Sequence, residues 1–330
     1  MRVIFQSFQG NPEGACRYNR SLFVTVTLNP AIDRTVTADR LVFDDRAYIE
    51  STGESVGGRG LNASVVLHSW GASTLAIVPS GGESGPRFEE HLARLGFPYE
   101  TVCIQNNVRS NLIITDRQGM TVKLNEPGPT LSQEELDAIE AAVRRRLPGA
   151  RWLLVCGSLP PGVPSSYVRR LVAAAREAGV KALVDTDGEP LQDALLEHPT
   201  AVTPNRNEAA ALLNKALITR QHFRGAAQRI REMGAESVVL SLGSRGAIGV
   251  RGNDVVEAVP PRTDAVCSIG AGDALNAAYV WAIEQTGDFG DAVRWAVAAG
   301  TASAKLPGIS FATLEQARAM YEQVELKRGA

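Results

Sequence analysis

Strand-like and helical segments alternate along most of this 330-residue chain, and that alternation constrains the fold more than any other feature. Apolar strand-like runs lie at 21–28, 74–80, 151–159, 180–187 and 237–243, with two short ones at 247–250 and 254–259. Helical patterns lie near 59–70, 84–95, 132–147, 164–178, 205–214, 221–233, 271–285, 289–304 and 312–327. This alternation predicts an α/β fold, with a doubly wound, mostly parallel sheet flanked by helices. Such sheets bind ligands at the carboxyl ends of their strands.

Two segments, 33–56 and 99–127, interrupt the alternation with period-2 patterns and no long helical pattern between them. They predict a small separate β-sheet, and a long excursion near a ligand site is often a lid. Surface decoration is the alternative interpretation. Residues 1–20 carry little periodicity, so we expect a mobile extension before one domain that covers residues 21–330.

Charge and composition exclude several classes of protein. A net charge of −2 and a pI near 6.2 give no electrostatic footprint for nucleic acid or an anionic membrane. No apolar run reaches the ~18 residues of a membrane span, and no signal-peptide pattern opens the chain, so we expect a cytoplasmic protein. The four cysteines are far apart and favour neither a disulfide framework nor a zinc site, and the four histidines are equally scattered.

In the stretch TLNPAIDRT (27–35), the turn signal Asn-Pro ends a strand, and Asp33 is predicted to lie at the carboxyl end of that strand. A carboxylate there can accept hydrogen bonds from substrate hydroxyls, or it can simply stabilise the turn. The stretch VGGRGLNAS (56–64) then brings three glycines before a helix, where amides and helix dipole suit an anion or a polyol. It also matches the dinucleotide fingerprint G-x-G-x-x-A, which makes an oxidoreductase the alternative from another class. That match is weak because the preceding STGES is polar, whereas the fingerprint needs a buried strand.

The stretch TPNRNE (203–208) places Asn205 and Glu208 on one face at a helix start. They can order water around Mg²⁺, which prefers oxygen ligands, but a simple capping box explains the pair fully on spacing alone. The strand end SLGSRGA (241–247) is equally typical of a nucleotide contact and of a turn. No Walker A pattern occurs in the sequence, which argues against a P-loop enzyme.

The stretch CSIGAGDALNAAYV (267–280) holds one charged residue, Asp273, at the start of a helix that is apolar on every side. Such a helix is predicted to be buried. The preceding glycines let backbone amides converge at the positive end of the helix, where negative charge can develop. A carboxylate beside that point can take a proton from an incoming hydroxyl. The alternative is an ordinary acidic residue at a helix N-terminus.

Five motifs occur in order: N-P-A-x-D, G-G-x-G-x-N, G-S-L-P-P-G, N-x-x-E and G-A-G-D. Together, from about residue 22 to 325, they resemble the ribokinase-like (PfkB) carbohydrate kinases. TLNPAID and NEPGP (125–129) are similar to the branch that contains 1-phosphofructokinase and tagatose-6-phosphate kinase. The resemblance implies phosphoryl transfer from ATP, with Mg²⁺ and possible K⁺ dependence, to a sugar phosphate under a β-sheet lid. The expected reaction converts fructose 1-phosphate to fructose 1,6-bisphosphate; tagatose 6-phosphate, fructose 6-phosphate and a weakly active regulatory sugar-binding protein are alternatives.

The resemblance also implies a role for each matching residue. The residues expected to bind the substrate are Asp33, Gly57, Gly58, Arg59, Gly60, Asn62 and Arg109. Those expected to bind the nucleotide and its Mg²⁺ are Asn205, Glu208, Ser241, Gly243 and Gly246. Phosphoryl transfer is expected to use Gly270, Ala271 and Gly272 around the base Asp273. Glu208 is expected to act on the metal through water, and the lid sheet is expected to support a homodimer. The chain departs from the family's usual lysines at Arg59 and Thr203, and from its usual Asn and Thr in the 305–311 loop.

Overall fold

The computed structural model describes residues 22–42 and 44–329, so the predicted extension at 1–20 lies outside the described residues. The strands are β1 Leu22–Val26, β2 Ala31–Ala38, β3 Ile49–Gly57, β4 Ser73–Gly81, β5 Tyr99–Ile104, β6 Arg109–Asp116, β7 Thr121–Asn125, β8 Ala150–Cys156, β9 Lys181–Asp185, β10 Ala201–Val202, β11 Ser237–Ser241, β12 Ala247–Arg251, β13 Asp254–Val259 and β14 Glu325–Arg328. The helices are α1 Arg59–Ser69, α2 Gly85–Ala93, α3 Gln133–Arg146, α4 Ser166–Glu177, α5 Gly188–Leu195, α6 Arg206–Leu212, α7 Arg220–Glu232, α8 Ala271–Thr286, α9 Phe289–Ala304 and α10 Leu314–Tyr321, with a 3₁₀ turn at Gly243–Arg245.

Ten strands form one sheet in the order β14-β13-β12-β11-β10-β9-β8-β1-β4-β5. The pairs from β11 through β5 are parallel, whereas β12, β13 and β14 pair antiparallel at one edge. Apolar side chains of α3, α4 and α7, such as Ile139, Tyr167 and Phe223, cover one face of this sheet. Those of α1, α8 and α9, such as Leu67, Tyr279 and Val293, cover the other. The predicted doubly wound α/β fold is confirmed.

The remaining four strands form a separate small sheet in the order β3-β2-β6-β7, as the period-2 patterns predicted. The predicted segment 99–127 begins too early, however. Residues 99–104 form β5, which pairs in parallel with β4 at the edge of the large sheet. Because no helical pattern follows β5, the sequence assigned this strand to the small sheet, whereas its backbone hydrogen bonds join it to the large one.

Two elements differ from the sequence-based expectation. Helix α5 at Gly188–Leu195 was not predicted, because Gly188 and Pro190 in its first turn read as turn signals. Helix α10 ends at Tyr321 rather than near 327, and the following residues form the edge strand β14 against β13. None of the helices within the described ranges combines the length and apolar character needed to span a membrane.

Candidate active site

A cavity of about 180 Å³ lies at the carboxyl ends of the parallel strands of the large sheet. Strands β9 and β11 end there in Asp185 and Ser241, and helices α1, α6 and α8 start beside it. Its lining consists of Arg59, Asp185, Thr203, Asn205, Glu208, Ser241, Gly272, Asp273, Leu275 and Asn276. Six of these residues were predicted from sequence to belong to one site.

Asp273 lies in the first turn of α8 and is 7% exposed. The side-chain amide of Asn62, from α1, donates a hydrogen bond of 2.6 Å to its Oδ2 atom. Burial, followed by the nearby charge of Asp185, raises the pKa of Asp273 to about 7, although Asn62 and Arg59 act in the opposite direction. A carboxylate whose pKa lies near neutrality can both accept and release a proton under ordinary conditions.

Gly270 precedes α8 in a left-handed conformation, with φ of 82°. The first N–H groups of a helix have no acceptor inside it, so those of residues 271–273 are available to other partners. The N–H of Ala271 donates to the Ser268 carbonyl at 3.3 Å, which leaves Gly272 and Asp273 as the better donors to an anion. No packing contact requires a glycine at 272, since a Cβ there would meet open space, and Gly272 lines the cavity.

The guanidinium of Arg59 joins two carboxylates in the cavity. Its Nη1 atom lies 3.1 Å from Oδ1 of Asp185 and 3.5 Å from Oε1 of Glu208. Oδ2 of Asp185 accepts a hydrogen bond of 2.8 Å from Asn276. Burial raises the pKa of Asp185, whereas Arg59 and Asn276 lower it. Arg59 therefore pairs with two acidic residues of the cavity, and its predicted contact with the sugar stays a prediction.

Sequence reasoning missed Asp185 and Asn276. The signal for Asp185 was present, because VKALVDTD is an apolar strand that ends in an acidic residue at the ligand-binding edge of the sheet. Asn276 gave no such signal, because it lies inside a helix that is apolar around it. Only the packing of α8 beside β9 brings its amide to Asp185.

The predicted capping box at α6 is confirmed. Oδ1 of Asn205 accepts hydrogen bonds from the N–H groups of Asn207 (2.8 Å) and Glu208 (3.0 Å), and Oε2 of Glu208 accepts one from the N–H of Asn205 (2.8 Å). The other oxygen, Oε1, faces Arg59 across the cavity. Glu208 can thus cap the helix with one oxygen and act on a ligand with the other.

The described residues contain no group of three or more His, Cys, Asp or Glu side chains arranged to hold a metal ion. Mg²⁺ usually keeps several waters and takes only one or two protein carboxylates together with phosphate oxygens. Asp185 and Glu208 offer two carboxylates, and the buried Oγ1 of Thr203 has no hydrogen-bond partner among the described residues. This donor set fits a hydrated Mg²⁺ that arrives with a nucleotide.

Asp33 lies on β2 of the small sheet and is 4% exposed. Asn111 of β6 donates a hydrogen bond of 2.7 Å to its Oδ1, and burial raises its pKa. A Cβ at Gly57 would lie 2.0 Å from Oδ2 of Asp33, so the glycine makes room for this carboxylate. Gly58 and Gly60 pack in the same way against Thr27. The strand before these glycines is exposed and belongs to the small sheet, which does not fit a dinucleotide fingerprint.

Several polar atoms around Asp33 are buried and have no partner among the described residues. Arg109 donates through Nη1 to the Glu126 carbonyl at 2.9 Å, but its Nε atom makes no hydrogen bond, and burial lowers the pKa of this arginine. Oδ1 of Asn111, whose amide nitrogen donates to Asp33, is likewise unsatisfied. Because buried polar groups normally have partners, such a cluster suits a polar ligand.

Lys123 is a further cation that sequence reasoning missed. It pairs with Ile113 across β6–β7, two residues from the Asn111–Asn125 pair, and therefore shares a sheet face with Asn111. Its charge lowers the pKa of both Asp33 and Asp273. The small sheet thus carries a cation whose charge reaches both carboxylates.

Ser241, the last residue of β11, lines the cavity and forms an isolated parallel β-bridge with Asn205. Gly243 and Gly246 are not among the lining residues and have φ values of 63° and 88°. A Cβ at Gly246 would lie 1.9 Å from the carbonyl oxygen of Ala258, so the turn itself requires this glycine. Their contact with a nucleotide stays a prediction.

Comparison with known proteins gives one consistent result. The sequence pattern of the pfkB family carbohydrate kinases matches residues 24–316. The chain is 31% identical to the ATP-dependent 6-phosphofructokinase isozyme 2 of Escherichia coli, over 90% of this chain and 97% of that protein. It is 33% identical to the 1-phosphofructokinase of Rhodobacter capsulatus, over 83% of this chain and 87% of that protein. The crystal structure of Escherichia coli phosphofructokinase-2 in complex with potassium superposes with a TM-score of 0.87 at 31% identity, covering 92% of this chain and 98% of the other.

Proposed function

The chain belongs to the pfkB family of carbohydrate kinases, and we propose that it phosphorylates fructose 1-phosphate to fructose 1,6-bisphosphate with ATP as the donor. The observation that carries the proposal is Asp273, a buried carboxylate with a pKa of about 7 at the N-terminus of α8. Asn62 occupies its Oδ2 atom, so Oδ1 is the atom that takes the proton of the acceptor hydroxyl. The freed oxygen attacks the γ-phosphorus, and ADP leaves.

The N–H groups of Gly272 and Asp273 supply hydrogen bonds to the transferring phosphoryl group at the positive end of α8. A bound Mg²⁺ would neutralise charge on the nucleotide phosphates, and Glu208 and Asp185 would hold it through water. Arg59 lies between these two carboxylates and keeps them from repelling each other before the nucleotide binds. Ser241, Gly243 and Gly246 would contact the nucleotide.

The acceptor would lie between the small sheet and α1. Asp33, Asn62 and Asn111 offer acceptors and donors to sugar hydroxyls, and Gly57, Gly58 and Gly60 let the backbone approach closely. Arg109 and Lys123 provide the positive charge that a phosphate group requires and a neutral sugar does not. Guanidinium–phosphate contacts are charge-assisted and strong, which favours a phosphorylated acceptor.

A panel of acceptors with MgATP tests this proposal, with ADP release as the readout. We expect the highest kcat/KM with fructose 1-phosphate and little turnover with free fructose. A preference for fructose 6-phosphate, which the name of the Escherichia coli relative favours, or for tagatose 6-phosphate would correct the substrate but keep the mechanism. Sugar binding without ADP release would identify a regulatory protein. Exchange of K⁺ for Na⁺ at fixed ionic strength tests the proposed K⁺ dependence.

A homodimer formed through the small sheet is part of the proposal. Large apolar side chains are concentrated on this sheet and the loops that flank it: Tyr48, Ile49, Met120 and Leu124 are each more than half exposed. An exposed sheet edge that carries apolar side chains favours association with a second copy. Analytical ultracentrifugation should show a dimer, and Leu124→Glu should shift it towards the monomer.

A further inference from the structure

A second cavity, of about 490 Å³ and wide open to solvent, lies at the N-terminal end of α7. Arg220, Gln221 and Arg224 line it from α7, and Lys327 lines it from the edge strand β14. The proposed phosphoryl transfer uses none of these residues. Three of the four carry a positive charge.

The carboxylates around the cavity do not balance these charges. Oε2 of Glu257, which is 8% exposed, accepts a hydrogen bond from Arg220 and lies 3.7 Å from Nη2 of Arg224. Lys327 is directly opposite Glu257 in the β13–β14 pairing, and its Nζ lies 3.2 Å from the exposed Glu325. Three cations therefore share two carboxylates, and the cavity keeps an excess of positive charge.

One donor in this cluster lacks an acceptor. The Nε atom of Arg224 is buried and makes no hydrogen bond within the described part of the chain. The side chain of Gln221, in the first turn of α7, lines the same space. Buried donors normally have partners, and paired guanidinium groups match phosphate oxygens well.

We propose that this cavity is a second anion site, which binds a phosphate-bearing small molecule and acts on the nucleotide end of the active site. Phe223 lies in the same turn as Arg220 and Arg224, and the Arg245 guanidinium lies 4.8 Å from the centre of its ring. Arg245 ends the 3₁₀ turn that follows Ser241, a lining residue of the active-site cavity. The contact between Phe223 and Arg245 is the route by which an anion that draws the two α7 arginines together would act on this turn.

Binding is tested with pyrophosphate as the probe, by calorimetry without Mg²⁺ at low ionic strength. Arg224→Met and Lys327→Met should each weaken one class of sites about tenfold or more, because each removes a charge-assisted contact. Arg229→Met is the matched control, since Arg229 lies on the same helix, pairs with Glu232 and does not line the cavity. Lys327 lies on an edge strand, so its variant should fold even if the Arg224 variant does not. Identical isotherms for wild type and Lys327→Met would overturn the site.

The effect on the nucleotide rests on the proposed kinase function and is tested separately, with inorganic phosphate at constant free Mg²⁺. Phosphate should change the KM for ATP severalfold in wild type and in Arg229→Met. The change in Lys327→Met should be clearly smaller. An equal change in all three proteins would place phosphate in the active site and contradict the coupling. Absence of kinase activity would contradict the proposed function and leave the calorimetric result valid.

Discussion

The side-chain amide of Asn62 donates a hydrogen bond of 2.6 Å to Oδ2 of Asp273, and so links the first turns of α1 and α8. Both residues are buried, and 211 positions of sequence separate them. The bond fixes the orientation of a carboxylate that burial would otherwise keep protonated. It therefore sets the geometry of the proposed base and lowers a pKa that burial and the charge of Asp185 raise.

Asp273→Asn should lower kcat about 10²–10⁴-fold, the range for the loss of a general base. Asparagine keeps the size of the side chain and can still accept the hydrogen bond from Asn62, so the fold and ATP binding should change little. Steady-state kinetics and a nucleotide-binding titration measure the two effects. Turnover close to that of wild type would remove Asp273 from the mechanism.

The pH profile should report this carboxylate, with kcat/KM falling below about pH 7 as Asp273 becomes protonated. Asn62→Ala removes a hydrogen bond that lowers the pKa of Asp273, so the acidic limb should move to higher pH by about one unit. Asn111→Ala is the matched control, because Asn111 bonds Asp33 instead. An unmoved limb in the Asn62 variant would show that another group titrates.

The sequence predicted the fold and the separate small sheet because both depend on local periodicity. It also predicted that Asp273, Asn62, Asn205, Glu208 and Ser241 belong to a site, since each lies at a helix start or a strand end. It did not predict which of them touch. For Arg59, the resemblance predicted a contact with the sugar but not the ion pair with Asp185, which depends on the spacing of α1 and β9.

The choice between two interpretations of Glu208 shows the same limit. Its spacing from Asn205 predicted either a cap or a metal contact, and the structure shows that the cap uses only one carboxylate oxygen. Sequence patterns carry no information about individual oxygen atoms. Likewise, Lys123 resembles any exposed lysine in sequence, and only the strand register places it on the face of Asn111.

Asp273→Asn should also change how stability depends on pH. Burial raises the pKa of Asp273 in the folded state from 3.8 to about 7. The protonated side chain therefore contributes its full stabilisation to the folded state below about pH 4, and this stabilisation is lost as the pH rises through about 7. Because the variant has no carboxylate to ionise in this buried position, its free energy of unfolding relative to wild type should rise between pH 5 and pH 8, by about 2–4 kcal/mol at most. Urea unfolding at both pH values measures the difference, and substitution of the exposed Asp254 by Asn should not reproduce it.

Glu208→Gln should raise the Mg²⁺ concentration needed for half the maximal rate. Glutamine retains an oxygen that can accept from the N–H of Asn205, so the cap and the stability should largely persist. Asn205→Ala, by contrast, removes the cap and should cost about 1 kcal/mol of unfolding free energy. If Glu208→Gln loses stability but keeps the Mg²⁺ response of wild type, Glu208 only caps the helix.

Arg109→Ala should raise the KM for the phosphorylated sugar far more than the KM for ATP. The Glu126 carbonyl holds one Nη atom of Arg109, and its buried Nε lacks a partner, so the side chain is positioned to bind an anion. A charge-assisted hydrogen bond contributes ~1.5–3 kcal/mol, so kcat/KM for the acceptor should fall roughly 10- to 150-fold. Arg34→Ala is the control, because Arg34 is exposed and pairs with Glu54. If wild type phosphorylates free fructose as well as any sugar phosphate, the acceptor needs no phosphate and Arg109 has another role.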